Sequence, residues 1–158
     1  LHNNCYKVKL YSTEPRDYTA VFEVFNNLKQ KNNIDVVEIK DFNDLINLYC
    51  KTDLIIGTRM HSLIIGISQY IPVIGLSWQD KVDEMFKMIN MTDYVFSIDQ
   101  LDENIPQILN LTRNTLKNRE TKERLKELKS LNEKKFHINI DLLNNIRDEV
   151  KKEKKYAE

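Results

Sequence analysis

Residues 53–67 read Asp-Leu-Ile-Ile-Gly-Thr-Arg-Met-His-Ser-Leu-Ile-Ile-Gly-Ile. Two apolar runs are joined there by a short polar hinge. The first run, Leu54-Ile55-Ile56, has strand length and ends in Gly57; the second, Leu63-Ile64-Ile65-Gly66-Ile67, follows at once. A buried strand passing straight into a buried helix belongs to an α/β fold, and open α/β sheets bind ligands at the carboxyl edge where such junctions lie. A helix N-terminus at that edge offers N–H groups and partial positive charge to an anion. Arg59 adds a planar fork of donors suited to carboxylate or phosphate. His61 is the side chain best able to move a proton near neutral pH. An anion-handling site is the first hypothesis. The plainer alternative makes Arg59 a surface arginine paired with a neighbouring acid, His61 a helix-start residue and Ser62 a cap.

The rest of the front half repeats the alternation. Tyr6 to Tyr11 suits a strand, and Ser12 to Asp17 is a turn with Pro15 placed for a first helical turn. Ala20, Val21, Val24, Phe25 and Leu28 recur at helical spacing, with Asn32-Asn33 expected to end that helix. Ile34 to Ile39 is β-branched and reads as a second strand. Asp41 opens a short helix carrying Leu45, Ile46, Leu48 and Tyr49. After the strand at 53–57, a helix over 62–69 is apolar nearly all round, which predicts burial of both faces. Pro72 opens a fourth strand, residues 81–89 form an amphipathic helix, and Tyr94 to Ser97 is a fifth strand. Five strands alternating with helices predict one parallel, doubly wound, Rossmann-like sheet. From Leu101 onward the pattern is helical, with stripes at Ile105, Ile108 and Thr112 and at Leu125, Leu128 and Leu131. A last amphipathic helix is expected around Leu142 to Val150, with a frayed end. The expected division is an α/β domain over 1–110 and a helical extension over 111–158.

The balance of 24 basic and 24 acidic residues removes any global field pointing to nucleic acid. It conceals an asymmetry: residues 1–110 carry 10 basic and 15 acidic side chains, residues 111–158 carry 14 and 9. The basic tail is expected to contact its own acidic body, a partner domain or an anionic surface, or to be a solvated amphipathic helix. Only Cys5 and Cys50 are present, without C-x-x-C spacing, so reduced thiols are expected, with Cys50 as a small buried hydrophobe. No run is long enough to cross a bilayer. Three glycines, and no glycine-rich phosphate motif, disfavour a dinucleotide or P-loop site. The scattered His2, His61 and His137 give no metal site. Trp78 and Lys81 fall just past the fourth strand, on the same sheet edge as Arg59 and His61. Trp78 either stacks on a sugar or closes the core, and Lys81 either binds ligand charge or faces solvent.

The stretch from Asp53 to Ser62, followed by Tyr70-Ile-Pro-Val-Ile-Gly-Leu76 and by Lys81 with Phe86, resembles the C-terminal half of the polysaccharide pyruvyl transferases. That family shows a strand ending in G-x-R-L-H, a helix, a G-x-P strand and a lysine soon after. Here Met60 replaces the leucine and Tyr70 the glycine. The resemblance spans about Tyr6 to Asp99. It implies one half of a two-Rossmann-domain, GT-B-like enzyme, with a missing N-terminal domain and an active site between the halves. It implies transfer of pyruvate from phosphoenolpyruvate, the donor substrate, onto a sugar hydroxyl of a cell-surface polysaccharide as a ketal, with no cofactor and a glycan or lipid-linked sugar as acceptor. Arg59 and His61 would be catalytic, and Met60, Ser62, Trp78 and Lys81 would join them in binding substrate. The expected location is cytoplasmic, the inner membrane surface included. Two alternatives stand: a GT-B glycosyltransferase using a nucleotide sugar, and a non-catalytic binding half-domain.

Overall fold

The computed structural model describes residues 6–118, 120–128 and 130. Five short strands, β1 (Val8–Leu10), β2 (Ile34–Val36), β3 (Ile55–Gly57), β4 (Val73–Ser77) and β5 (Val95–Ser97), alternate with α1 (Tyr18–Asn27), α2 (Phe42–Tyr49), α3 (Met60–Ser68) and α4 (Asp80–Met88). The last strand leads into α5 (Leu101–Lys117), which runs through residue 110, and residues 120–128 are again helical. Every strand pair is parallel, as helical crossovers require. The architecture is α/β and Rossmann-like.

The pairing departs from one five-stranded sheet. β1 pairs with β2, with Val8 opposite Ile34, and separately β3, β4 and β5 form a ladder in which Gly57, Gly75 and Val95 lie side by side. Four of the five strands are only three residues long. Between β1 and β3 there is no ladder among the described residues, and both strands border the cleft described below.

Two clusters cover the two faces of the three-stranded ladder. On one face Leu45 and Tyr49 of α2, Leu63 of α3 and Val82 and Phe86 of α4 close over Ile55 and Val73. On the other, Ile108 of α5 meets Ile74 and Phe96. The adjacent residues Val73 and Ile74 therefore point to opposite, equally dry faces, as expected of a central parallel strand. Leu125 joins the first cluster, Leu128 packs against it, and Lys122 pairs with Asp53 at 3.8 Å, so the start of the basic tail lies on the body. Leu131 and everything after it, the helix expected at 142–150 included, lie outside the described residues.

Local chemistry explains most boundaries. Asp41 caps α2 by accepting from the Asp44 N–H at 2.9 Å, and Asp44 in return accepts from the Lys40 N–H. Pro15 opens a 3-10 turn ahead of α1. α1 ends at Asn27, earlier than Asn32-Asn33, and Asn33 instead takes a left-handed backbone (φ 64°) that turns the chain into β2. Tyr70 adopts the same left-handed conformation (φ 58°), the one a glycine would take most easily before Pro72. Two burial expectations fail. Cys50 is exposed because it is the residue after α2, one step off the stripe that buries Tyr49. α3 is not buried all round: Ser62, Leu63 and Gly66 are, but Ile64 is 42 % exposed.

Two glycines are required by close approach. A Cβ on Gly75 would fall 2.5 Å from the ring edge of Phe86, and one on Gly66 would fall 2.6 Å from Cδ1 of Ile55 and 3.1 Å from Cγ1 of Val73. The Phe86 ring is fully buried and rigid, whereas Cδ1 of Ile55 is the end of a rotatable chain. Gly75→Ala is expected to destabilise the fold by about 1–3 kcal/mol through overpacking. Gly66→Ala should cost less, because helix propensity returns up to about 1 kcal/mol. Urea denaturation of both variants tests the order; a Gly75→Ala midpoint equal to the parent's would refute the packing argument.

Candidate active site

The carboxyl ends of β1 and β3 open into a cleft of about 570 Å³. Strand order diverges at this point: from β1 the chain crosses to β2 on one side, while β3 leads to β4 and β5 on the other. Such divergence is where open α/β sheets hold ligands. One wall is apolar, built from Ala20, Val21 and Val24 of α1 and from Leu10, Ile56 and Leu76 of the strands. The polar rim comes from the segments that leave the strands: Tyr11 and Ser12 after β1, Thr58 and Arg59 after β3, and Trp78 after β4. Few polar groups on a largely apolar surface is the ordinary composition of a small-molecule site.

α3 begins two residues before the sequence places it. Arg59 becomes its N-cap, in extended conformation and with no side-chain cap. The N–H groups of the first turn thus keep no intrahelical partner. Arg59 itself holds Asp17 with a two-pronged contact, Nε to Oδ2 at 2.9 Å and Nη2 to Oδ1 at 2.8 Å. Ser12 Oγ donates to the same carboxylate at 3.2 Å. The hydrogen bond from Arg59, aided by its charge and by Ser12 against the opposing pull of burial, holds the Asp17 carboxyl below the usual carboxylate range. The Nη1 hydrogens and the second Nη2 hydrogen of Arg59 are not used by this pair and remain for a ligand.

Ser62 is buried inside the first turn and does not cap the helix. Its Oγ lies 2.8 Å from the Tyr11 hydroxyl and 2.7 Å from the Tyr49 hydroxyl, and those two hydroxyls are 2.8 Å apart. Burial pushes the Tyr49 phenol well above its ordinary range, so it stays protonated at all moderate pH. Neither Tyr11 nor Tyr49 stands out in the sequence. Tyr49 reads as core and Tyr11 as the end of a strand, and only the fold brings them to Ser62.

Of the residues singled out in the sequence, Arg59, Ser62 and Trp78 line the cleft. Trp78 is 56 % exposed, so its indole face is presented rather than spent on the core. Met60, His61 and Lys81 are not among the lining residues; His61 and Lys81 are exposed, Met60 packs against the core. Positions 59 and 61 are two apart at a helix start and cannot share a face. Asp17, the partner of Arg59, went unnoticed because 42 residues separate the two. The turn from Ser12 to Asp17 is legible from Pro15, but nothing local assigns Asp17 a partner.

The polysaccharide pyruvyl transferase family model matches residues 2–80, half of the chain. The match takes in β1 to β4, the whole strand–Arg-Met-His–helix junction and Trp78, and ends just before Lys81. No curated protein and no solved structure shows significant similarity to the chain.

The pairing of Arg59 with Asp17 has a defined pH signature. A carboxylate whose folded pKa is depressed contributes stability above its unfolded value near about 3.9, and that contribution is lost as pH falls through the folded value. Both side chains are partly exposed, so the contribution is at most about 1 kcal/mol. Asp17→Asn should therefore be less stable than the parent by up to about 1 kcal/mol at neutral pH, with the gap closing as pH falls below the unfolded value and through the depressed folded one. Urea melts at neutral and acid pH check this; a gap that persists unchanged in acid would show that the pair contributes nothing through its charge.

Proposed function

The chain belongs to the polysaccharide pyruvyl transferase family, and from that premise we propose that its cleft binds phosphoenolpyruvate and that the protein transfers the pyruvyl group to a sugar of a cell-surface polysaccharide. The observation that carries this reading is the position of Arg59: within the family match, at the mouth of β3, on the cleft, beside an uncapped helix start. The donor is a small dianion or trianion with an apolar methylene. A guanidinium, free backbone N–H groups and an apolar wall supply what each part of it needs.

The chemistry balances without an external cofactor. A proton is delivered to the methylene carbon of the enolpyruvyl group, C2 gains oxocarbenium character, and a sugar hydroxyl oxygen bonds to it. A second hydroxyl of the same sugar then displaces the phosphate from C2. The two hydroxyl protons end on the new methyl group and on the departing phosphate, and the product is a ketal. In this reading Arg59 grips the carboxylate or phosphate and stabilises the charge that develops as phosphate leaves. His61 delivers the proton. Because the imidazole stands outside the cleft lining, it serves a donor that lies across the rim of the first turn of α3. Lys81 lies beyond β4 on the same edge and would add charge for the phosphate, and Trp78 a stacking face for the acceptor sugar. We further read the unit as the C-terminal half of a GT-B-like enzyme whose other half contacts the acceptor.

One observation favours a second reading, a non-catalytic binding half-domain: Arg59 already has a carboxylate partner. Kinetics of the full-length protein separate the two. Arg59→Ala should weaken phosphoenolpyruvate binding roughly ten- to hundredfold, the loss of a charge-assisted contact of about 1.5–3 kcal/mol. His61→Ala should slow turnover roughly 10²–10⁴-fold with little change in donor affinity. Melting temperatures are read alongside. If Arg59→Ala lowers stability but leaves phosphoenolpyruvate affinity intact, the structural reading holds; if His61→Ala turns over at the parent rate, the proton comes from elsewhere.

A further inference from the structure

Asp17 stands at the N-cap position of α1 and yet makes no cap: its side chain accepts nothing from the helix it precedes. An aspartate there ordinarily turns back on the N–H groups of the first turn. Here the carboxylate is turned to Arg59 instead, and it lines the cleft with 32 % of its side chain exposed.

Counting lone pairs shows what this carboxylate keeps in reserve. Ionised, it offers about four accepting positions, two on each oxygen, and no hydrogen of its own. Oδ2 receives Arg59 Nε at 2.9 Å and Ser12 Oγ at 3.2 Å, which fills it; Oδ1 receives Arg59 Nη2 alone, at 2.8 Å. One lone pair on Oδ1 is unspent. The hydrogen bond from Arg59 holds the carboxyl below its usual range, so it remains ionised and accepting at neutral pH. A second anion would be repelled at this place, and an ammonium would meet the guanidinium beside it. A neutral O–H meets neither obstacle. The surroundings suit a ligand rich in such groups: Thr13 and Thr58 line the same cleft with hydroxyls that have no partner among the described residues, and Trp78 presents its indole there, 56 % exposed. A sugar combines an apolar C–H face with a rim of hydroxyls, and an aromatic face with a few fixed polar groups matches both.

We propose that Asp17 is a substrate-contacting residue whose Oδ1 accepts a hydrogen bond from a hydroxyl of the acceptor sugar, while the unused hydrogens of Arg59 hold the anion of the donor beside it. This rests on the reading of the cleft as a phosphoenolpyruvate site and adds to it a sugar contact supplied by this half of the enzyme. One ion pair thus presents a lone pair to one substrate and N–H groups to the other, side by side. A transfer between an anion and a hydroxyl needs that proximity.

The test uses the full-length protein and two titrations. Phosphoenolpyruvate is titrated calorimetrically. The methyl glycosides of glucose, galactose and mannose are titrated by NMR with inorganic phosphate present, which occupies the Arg59 side without allowing turnover. Asp17→Ala should weaken the best-bound hexoside roughly tenfold, the loss of one charge-assisted hydrogen bond at a partly exposed site, and should leave phosphoenolpyruvate affinity at or above the parent value. Asp17→Asn, which keeps the shape of the side chain, should give the same order with a smaller factor and serves if Asp17→Ala melts too low to titrate. Monodeoxy derivatives of that hexoside complete a cycle: the one lacking the bonded hydroxyl should bind the parent about tenfold more weakly than the hexoside, yet bind Asp17→Ala as well as the hexoside does. A purely structural aspartate would not give that non-additivity. Every deoxy derivative losing the same factor on parent and variant would overturn the proposal. So would an Asp17→Ala variant that loses phosphoenolpyruvate and hexoside affinity equally, since Asp17 would then act only through Arg59. A parent that binds phosphoenolpyruvate but none of the hexosides would overturn it as well and leave the donor site intact. A parent that binds a hexoside through Asp17 but not phosphoenolpyruvate would overturn the donor reading and leave the sugar contact standing.

Discussion

The close seating of α3 and α4 on the β3–β4 pair is the constraint from which the remaining geometry follows. Gly66 lets α3 sit close on Ile55 and Val73, whose side chains would lie 2.6 and 3.1 Å from a Cβ there, and Gly75 gives the Phe86 ring its place on the central strand. With the helix pressed down at Gly66, its first turn can only rise from the end of β3 toward the carboxyl edge. That edge is where Arg59 and Ser62 emerge. The same seating buries Leu63 beneath the turn, so the polar residues of the junction are displayed by the dry ones around them. A looser helix would bury as much apolar surface yet aim nothing.

The electrostatics of the cleft rest on a compromise at Arg59. A guanidinium left alone on an apolar wall would be mobile and poorly solvated. Its two-pronged contact with Asp17 fixes the plane of the group while consuming only one edge of it. The arginine arrives oriented, at the cost of its charge being answered in advance by one carboxylate. The first turn of α3 holds no acidic residue, and the nearest carboxylate, Asp17, is the one paired with Arg59 at its N-cap. The first turn of α4, by contrast, carries Asp80 and Asp83, and Ser77 hydrogen-bonds to Asp83. Of the two helices that begin at this edge, α3 is the one whose first turn carries no acid.

How much of this was legible in the residues follows the range of each interaction. The strand–helix alternation, the Asp41 cap and the core stripes of α2 and α4 are set by neighbours within four positions, and they stand where the pattern puts them. The parallel pairing of β3 with β4 follows from the helix between them. Cys50 and Ile64 were misjudged because composition reports how apolar a helix is, whereas burial depends on which side the sheet lies. The division into two ladders could not be read, since each three-residue strand resembles any other. At the site, Arg59, Ser62 and Trp78 were recognisable from their place after strands. Asp17, Tyr11 and Tyr49 were not, because each acquires its meaning from a partner that only the finished fold delivers.

The hydroxyl triangle shows why fold and site are inseparable here. β1 belongs to one ladder and α3 follows β3 of the other, and no backbone pairing joins β1 to β3 among the described residues. The contacts of Tyr11 with Tyr49 and Ser62, and of Asp17 with Arg59, span that gap from the side of β1. Side chains thus do at the cleft what ladder hydrogen bonds do elsewhere in the molecule. A ladder would have sealed the space between the strands, whereas side chains that reach across leave it open and lined. A ligand entering there meets groups already held for a structural reason, so little ordering remains to be done on binding. Of the residues that reach across the gap, Tyr11, Asp17, Arg59 and Ser62 also line the cleft.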